Sequence, residues 1–168
     1  MLAELAIRDF AIIEGLHLNL GPGFVVFTGE TGAGKSIIID AVEALLGGRG
    51  DASVLRSGAE AAIVEGVFRL DPALVDGPRE VLAREDLEDQ SGWVSLGREI
   101  RGGRSVCRAN GRTVALSILR EIGEALVDVH GQSEHLSLLH VRQHLGLLDR
   151  FAGVESSLEA YRTTYQRL

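Results

Sequence analysis

From Leu2 to Leu20, leucine and isoleucine recur in a partly alternating pattern. Leu16, Leu18 and Leu20 fall on one side and His17 and Asn19 on the other, the period of a β-strand. Gly21-Pro22-Gly23 breaks the run as a turn. Phe24-Val25-Val26-Phe27 is then a short continuous apolar stretch, the pattern of a strand buried on both faces. Thr28 to Gly34 is a glycine-rich loop. Ser36 to Leu46 predicts a helix with Ile38, Val42, Leu45 and Leu46 along one side, and Gly47-Gly48 stops it.

Gly47 to Gly58 is a polar loop containing Arg49, Asp51 and Arg56. Ala62 to Leu70 alternates, with Ile63, Val67 and Phe68 as its apolar positions, and predicts a strand. Asp71-Pro72 opens a charged stretch to Asp89 that reads as a short helix and a loop. Trp93 to Ile100 and Ser105 to Val114 predict two strands joined by the turn Arg101-Gly102-Gly103-Arg104, with Asn110-Gly111 as a second tight turn. Leu116 to Leu126 predicts a helix, Val127-Asp128-Val129 a short strand, and His130-Gly131-Gln132 a loop leaving it. Further on, Leu147, Phe151, Val154, Leu158, Tyr161, Tyr165 and Leu168 are spaced alternately by four and three. That spacing fits the seam of a coiled coil or the buried stripe of an amphipathic helix on the core. Gly153 interrupts it, and the pattern is still running at Arg167-Leu168, so the coiled coil is expected to continue beyond this sequence.

Composition narrows the class. With 168 residues, 45% hydrophobic and 24% charged, the chain is an ordinary globular one, able to bury a core as one domain, and neither disordered nor collagen-like. No apolar run approaches the ~20 residues of a membrane span. Met1–Phe10 carries Glu4, Arg8 and Asp9 instead of a signal peptide's apolar stretch. The single cysteine, Cys107, rules out a disulfide framework and reads as a small buried hydrophobe, so a cytoplasmic location is expected. The balance of 17 basic against 24 acidic residues, net −7, argues against a surface that binds phosphate backbones over its whole extent. A local basic patch remains open at the hairpin, where Arg98, Arg101, Arg104, Arg108 and Arg112 cluster; arginines on an exposed hairpin face account for it equally well. Trp93 reads as a core residue. His130, His135, His140 and His144 lack acidic or cysteine partners at metal-ligand spacing and read as solvated or core-edge side chains.

Two further details bear on chemistry. Glycine stands at 21 of 168 residues, above the usual ~7%. Every basic residue but one is arginine, and the exception is Lys35. Lys35 lies in Gly29-Glu30-Thr31-Gly32-Ala33-Gly34-Lys35-Ser36, which matches G-x-x-x-x-G-K-[ST] at every fixed position. Each residue type has a task. The glycines let backbone N–H groups curl around a phosphate, and the helix that follows aims its free amides and positive dipole end at the same anion. Lys35 supplies a compact charge for the β- and γ-phosphates, and Ser36 a hydroxyl for Mg²⁺. The expected ligand is a purine nucleoside triphosphate with Mg²⁺.

The remaining parts of such a site are not evident. An ATPase of this type also needs an apolar strand ending in Asp, usually followed by a catalytic Glu. Ala125-Leu126-Val127-Asp128 is followed by Val129-His130-Gly131, and Ile37-Ile38-Ile39-Asp40 falls in the helix after the loop. No L-S-G-G-type segment is present either. The rest of the site is therefore expected on another stretch of polypeptide, or the module is an unusual one.

Several segments together resemble the N-terminal half of the RecN family, bacterial double-strand-break repair ATPases related to structural-maintenance-of-chromosomes (SMC) proteins. They are Leu5-Ala6-Ile7-Arg8-Asp9-Phe10-Ala11-Ile12-Ile13-Glu14, the glycine-rich motif, Gly47-Gly48-Arg49, Asn110-Gly111-Arg112, and Asp128-Val129-His130-Gly131-Gln132-Ser133-Glu134-His135. The resemblance implies an α/β P-loop NTPase: one lobe of an ABC-type ATPase head, with a mixed sheet, an antiparallel strand layer and the start of a coiled coil. It implies a head lobe over 1–145 and a coiled-coil root over 146–168. Its ligands would be ATP and Mg²⁺, with Gln132 as the Q-loop glutamine at the Mg²⁺ or the attacking water. Hydrolysis would need the C-terminal lobe of the same protein and a second head, with DNA as the partner of the assembly and no membrane. SMC relatives often carry Phe-Arg in the first strand, where this chain has Phe10-Ala11. The competing expectation is an interaction module of another chromosome-maintenance-like protein, with nucleotide as a structural ligand.

Overall fold

The computed structural model describes residues 1–30, 34–70, 76–89, 91–127, 129, 145, 148–149, 151–165 and 167. The chain divides into two compact units, Met1–Val127 and Asp128–Leu168.

The first unit is built on strands β1 (Leu2–Phe10), β2 (Ile13–Asn19), β3 (Ala61–Arg69), β4 (Trp93–Arg101), β5 (Arg104–Ala109) and β6 (Arg112–Val114). Its helices are α1 (Lys35–Leu45), α2 (Asp76–Arg84) and α3 (Leu116–Leu126). The strands form one sheet in the order β2-β1-β3-β4-β5-β6, with every neighbouring pair antiparallel. This is the antiparallel layer of the expected fold, and among the described residues no parallel strand joins it. Most of the apolar side chains that the strands bury turn to one face. Leu5 and Ile7 of β1, Ala62, Val64 and Phe68 of β3, Val94, Leu96 and Ile100 of β4, and Cys107 and Ala109 of β5 are buried there. Ala41, Ala44 and Leu45 of α1 and Leu119 and Ile122 of α3 complete that core. α1 lies on β3 and β4, α3 on β5, and α2 on α3. Burying one such large side chain contributes about 1.5–3 kcal/mol.

Several expectations change. The first apolar segment is a hairpin of two strands, which reverses at Ala11-Ile12. In β3 the buried face is Ala62, Val64, Gly66 and Phe68, while Ile63 and Val67 are half-buried on the other side. At Gly66 an added Cβ would lie 2.7 Å from Leu45 Cδ2, so the α1 leucine occupies the place of a side chain. The second hairpin strand splits at Asn110-Gly111 into β5 and β6. Trp93 is 41% exposed and not a core residue, because it opens β4 on the face away from the helices. Arg98 is the opposite case: it is buried, not displayed on the hairpin surface. Most consequential is Phe24–Phe27, which belongs to no strand. Phe24 is 93% and Val26 62% exposed. A run apolar on both sides needs a partner strand and cover on two faces, and the described residues supply neither.

In the second unit, α4 (Glu155–Tyr165) follows a break at Gly153, where φ is 62°. Along the heptad, Val154 and Leu158 are half-buried and Phe151, Tyr161 and Tyr165 exposed, the two tyrosine rings stacking with centroids 6.3 Å apart. Leu147 and Leu168 lie outside the described residues. Among the described residues, no helix is long and apolar enough to cross a membrane.

Candidate functional site

Gly34 caps the N-terminus of α1 in the left-handed conformation, φ 87° and ψ 4°. A residue with a Cβ is strained there. Among the described residues no side chain caps this end, and no acidic residue stands in the first turn to meet the positive end of the helix dipole. Lys35 is the first helical residue. Its Nζ turns back along the loop and donates to the carbonyl oxygens of Gly29 at 2.6 Å and Glu30 at 2.5 Å. The hydroxyl-bearing Ser36 follows, exposed. An uncapped helix end, an ammonium and a hydroxyl thus converge within one turn, a donor set suited to a phosphate chain with a hard cation.

The β1–β2 turn borders this end. Ile12, 65% exposed, places Cδ1 3.7 Å from the position a Gly34 Cβ would take. The turn holds Asp9 and Ala11 at φ 51° and 50°, a conformation their side chains disfavour. It is kept in place by the segment after α1. The Ala11 N–H donates to the Val54 carbonyl at 2.7 Å, the Arg56 N–H donates to the Asp9 carbonyl at 3.0 Å, and Phe10 bridges to Leu55.

The other end of α1 is closed by a Schellman motif. The Gly48 N–H donates to the Glu43 carbonyl at 2.8 Å and the Gly47 N–H to the Ala44 carbonyl at 3.2 Å, with Gly47 at φ 88°. Two arginines add to it. Arg98 Nη1, from β4, donates to Ala44 O at 2.7 Å and Gly48 O at 2.6 Å. Arg120, from α3, donates through Nε at 3.0 Å and Nη2 at 2.9 Å to Gly47 O. Burial pushes the Arg98 guanidinium below its ordinary pKa, and its Nε is buried without a hydrogen-bond partner among the described residues. Neither contact was anticipated from the sequence. The signal for Arg98 was nonetheless present, since it occupies the same every-second-residue register as Val94, Leu96 and Ile100.

The arginines around the hairpin are largely met by acids. Glu99 accepts from Arg101 at 2.6 Å and lies 3.5 Å from Arg108, and these hydrogen bonds, Arg101 first, hold its carboxyl below the ordinary range. Arg112 pairs with Asp86 at 3.0 Å. Among the described residues no His, Cys, Asp or Glu cluster could hold a metal. Of the expected site residues, the structure brings together Gly29, Glu30, Gly34, Lys35 and Ser36. Thr31, Gly32, Ala33 and Gln132 lie outside the described residues, as do Asp128 and the histidines at 130, 135, 140 and 144.

Comparison with known proteins fits this geometry. Residues 4–159 match the AAA domain family. The DNA repair protein RecN of Halalkalibacterium halodurans is 49% identical over 99% of this chain and 30% of its own length. That of Bacillus subtilis is 47% identical over 99% of this chain and 29% of its own. The chain thus spans about 30% of the length of the curated relatives it matches. Among solved structures, the Smc head domain with an extended coiled coil from Pyrococcus furiosus, bound to the C-terminal domain of ScpA, superposes with a TM-score of 0.64 at 19% identity, covering 99% of this chain and 47% of that one. The chain belongs to the AAA domain family and is a RecN-like member of it.

Proposed function

We propose that this chain is the ATP-binding part of a RecN-like ATPase head that acts in recombinational repair of DNA double-strand breaks. The observation that carries the reading is the N-terminal end of α1: a left-handed glycine, the sequence's only lysine and an exposed serine stand at an uncapped helix terminus. The backbone amides from Gly29 through Glu30, Thr31, Gly32, Ala33 and Gly34 would wrap the phosphates. Lys35, released from the loop carbonyls, would take the β- and γ-oxygens, and Ser36 would ligate Mg²⁺. Bound Mg²⁺ would neutralise charge on the phosphates. Gln132 would meet the Mg²⁺ or the attacking water and report on the γ-phosphate.

Hydrolysis, on this reading, requires more polypeptide. Phe24–Phe27 leads into the phosphate loop with its apolar side chains in water, a state suited to cover by another lobe. The C-terminal lobe of the same protein would flank it, a second head would close over the nucleotide, and residues 146–168 would begin the coiled coil. The assembly would work on DNA, in the cytoplasm and associated with the nucleoid. A nucleotide-stabilised interaction module of another chromosome-maintenance-like protein is less well supported, because the relatives named above are RecN proteins. ATP turnover tests the reading: this chain alone should turn over almost none, and the complete protein should recover it. Ordinary ATPase rates from this chain alone would overturn the divided site.

A further inference from the structure

The phosphate loop is at one end of α1, and at the other end two arginines from different elements grip three carbonyls within one five-residue stretch of backbone, Ala44–Gly48. We propose that Arg98 and Arg120 are positioning residues for nucleotide binding, a clamp that fixes where α1 presents its N-terminus. This rests on the reading of Gly29–Ser36 as the phosphate site.

Arg98 comes from the middle of the sheet and is only 3% exposed. A buried guanidinium is costly, and an apolar side chain of similar volume would fill the space without that cost. No carboxylate among the described residues pairs with it. Its compensation comes from Ala44 O and Gly48 O, at the negative end of the α1 dipole. Arg120 meets the intervening carbonyl, that of Gly47, with two donors from a second direction. The backbones leave no slack. An added Cβ on Gly47 would lie 2.7 Å from Arg120 Cα, and one on Gly123 would lie 2.6 Å from Leu46 O.

A helix is stiff along its axis, so holding Ala44–Gly48 against β4 and α3 sets the position of Gly34 and Lys35 at the far end. A shift of a few tenths of an ångström there misplaces every amide aimed at a phosphate. The two arms also reach different parts of the chain. Arg98 ties α1 to the sheet. Arg120 ties it to α3, which ends at Leu126, shortly before Gln132 in the sequence.

The test is an ATP titration of the full-length protein in the presence of Mg²⁺, at temperatures where thermal unfolding shows each nucleotide-free variant fully folded. Arg98→Met and Arg120→Ala should each weaken ATP binding about tenfold. Arg98→Lys, which keeps the charge and one arm of donors, should recover part of that loss, and the double variant should lose less than the product of the two. Wild-type affinity in folded Arg98→Met and Arg120→Ala, with only the unfolding temperature lowered, would overturn the clamp. Should Arg98→Met fail to fold, Arg120→Ala decides, because Arg120 sits on an exposed helix face. Lys35→Ala separates the two readings. Lost binding there with wild-type binding in the arginine variants refutes the clamp alone, whereas wild-type binding in Lys35→Ala refutes the phosphate site and the clamp with it.

Discussion

The two edges of α1 differ in how finished they are. Towards the sheet, Phe10 and Phe68 are 1% and 0% exposed, and the α1 side chains Ala41, Ala44 and Leu45 are buried on the helix that lies on β3 and β4. Towards the phosphate loop, Phe24 through Phe27 and Ile12 and Ile39 stand in solvent. Both regions are rich in apolar side chains, so hydrophobicity alone does not distinguish them. The difference is partners. The sheet region closes on itself, whereas the described residues leave the apolar side chains beside the glycine-rich motif uncovered. A core can be complete while the site beside it is not.

The sharpest way to break this contrast is to delete a side chain on the closed side. Phe68→Ala should cost about 3–5 kcal/mol in chemical denaturation, since nothing nearby can collapse into the gap without disturbing β1 and β4. Next comes Lys35→Ala, which removes charge-assisted contacts worth roughly 1.5–3 kcal/mol and so should weaken nucleotide binding some 10- to 100-fold in a titration. Its unfolding midpoint should barely move, because among the described residues Lys35 donates only to the neighbouring carbonyls of Gly29 and Glu30. Phe24→Ser should shift this chain's stability by no more than about 0.5 kcal/mol, and a large loss would mean that the run is packed after all.

The smallest effect concerns pH. Arg84 grips Glu121 with two hydrogen bonds, of 2.9 and 2.7 Å, and holds its carboxyl below the ordinary 4.5. A depressed carboxylate stabilises the fold above its unfolded value and loses that contribution as pH falls through the folded one. Glu121→Gln should therefore lower the neutral plateau slightly while leaving the most acidic points in place, so that the acid limb of a plot of unfolding temperature against pH falls less steeply. An unaltered acid limb would show that this exposed pair contributes nothing.

Much of the fold was legible because its elements carry local signals. α3 is bounded as its periodicity predicts, Asn110-Gly111 turns at φ 46° and 76° in the hairpin sense, and Gly47-Gly48 ends α1. The glycine-rich motif stands out in the sequence as fixed residue types at fixed spacing, and Gly29, Glu30, Gly34, Lys35 and Ser36 of it are among the described residues. The failures have physical causes. The β1–β2 reversal was hidden because Ala11 sits at positive φ without the glycine or asparagine that marks such turns, and it is held there by hydrogen bonds from a segment distant in sequence. The burial of Arg98 follows from its register with Val94, Leu96 and Ile100, against the usual exposure of an arginine. The exposure of Phe24–Phe27 could not be read locally at all: the apolar run specifies a partner without saying where that partner comes from.

The pairing of β1 carries a consequence for how the molecule assembles. β1 is hydrogen-bonded to β2, its immediate successor, and to β3, which follows only after the phosphate loop and α1. Everything between Leu20 and Glu60 is therefore one excursion whose two ends are stapled to the same strand. During synthesis the first hairpin can form as soon as it emerges, but the excursion closes only when β3 arrives, a late contact that lowers the folding rate and carries the entropy of a long loop. Until that moment α1 has no β3 to pack against, so a nascent polypeptide fixes the helix on its sheet only when the third strand docks.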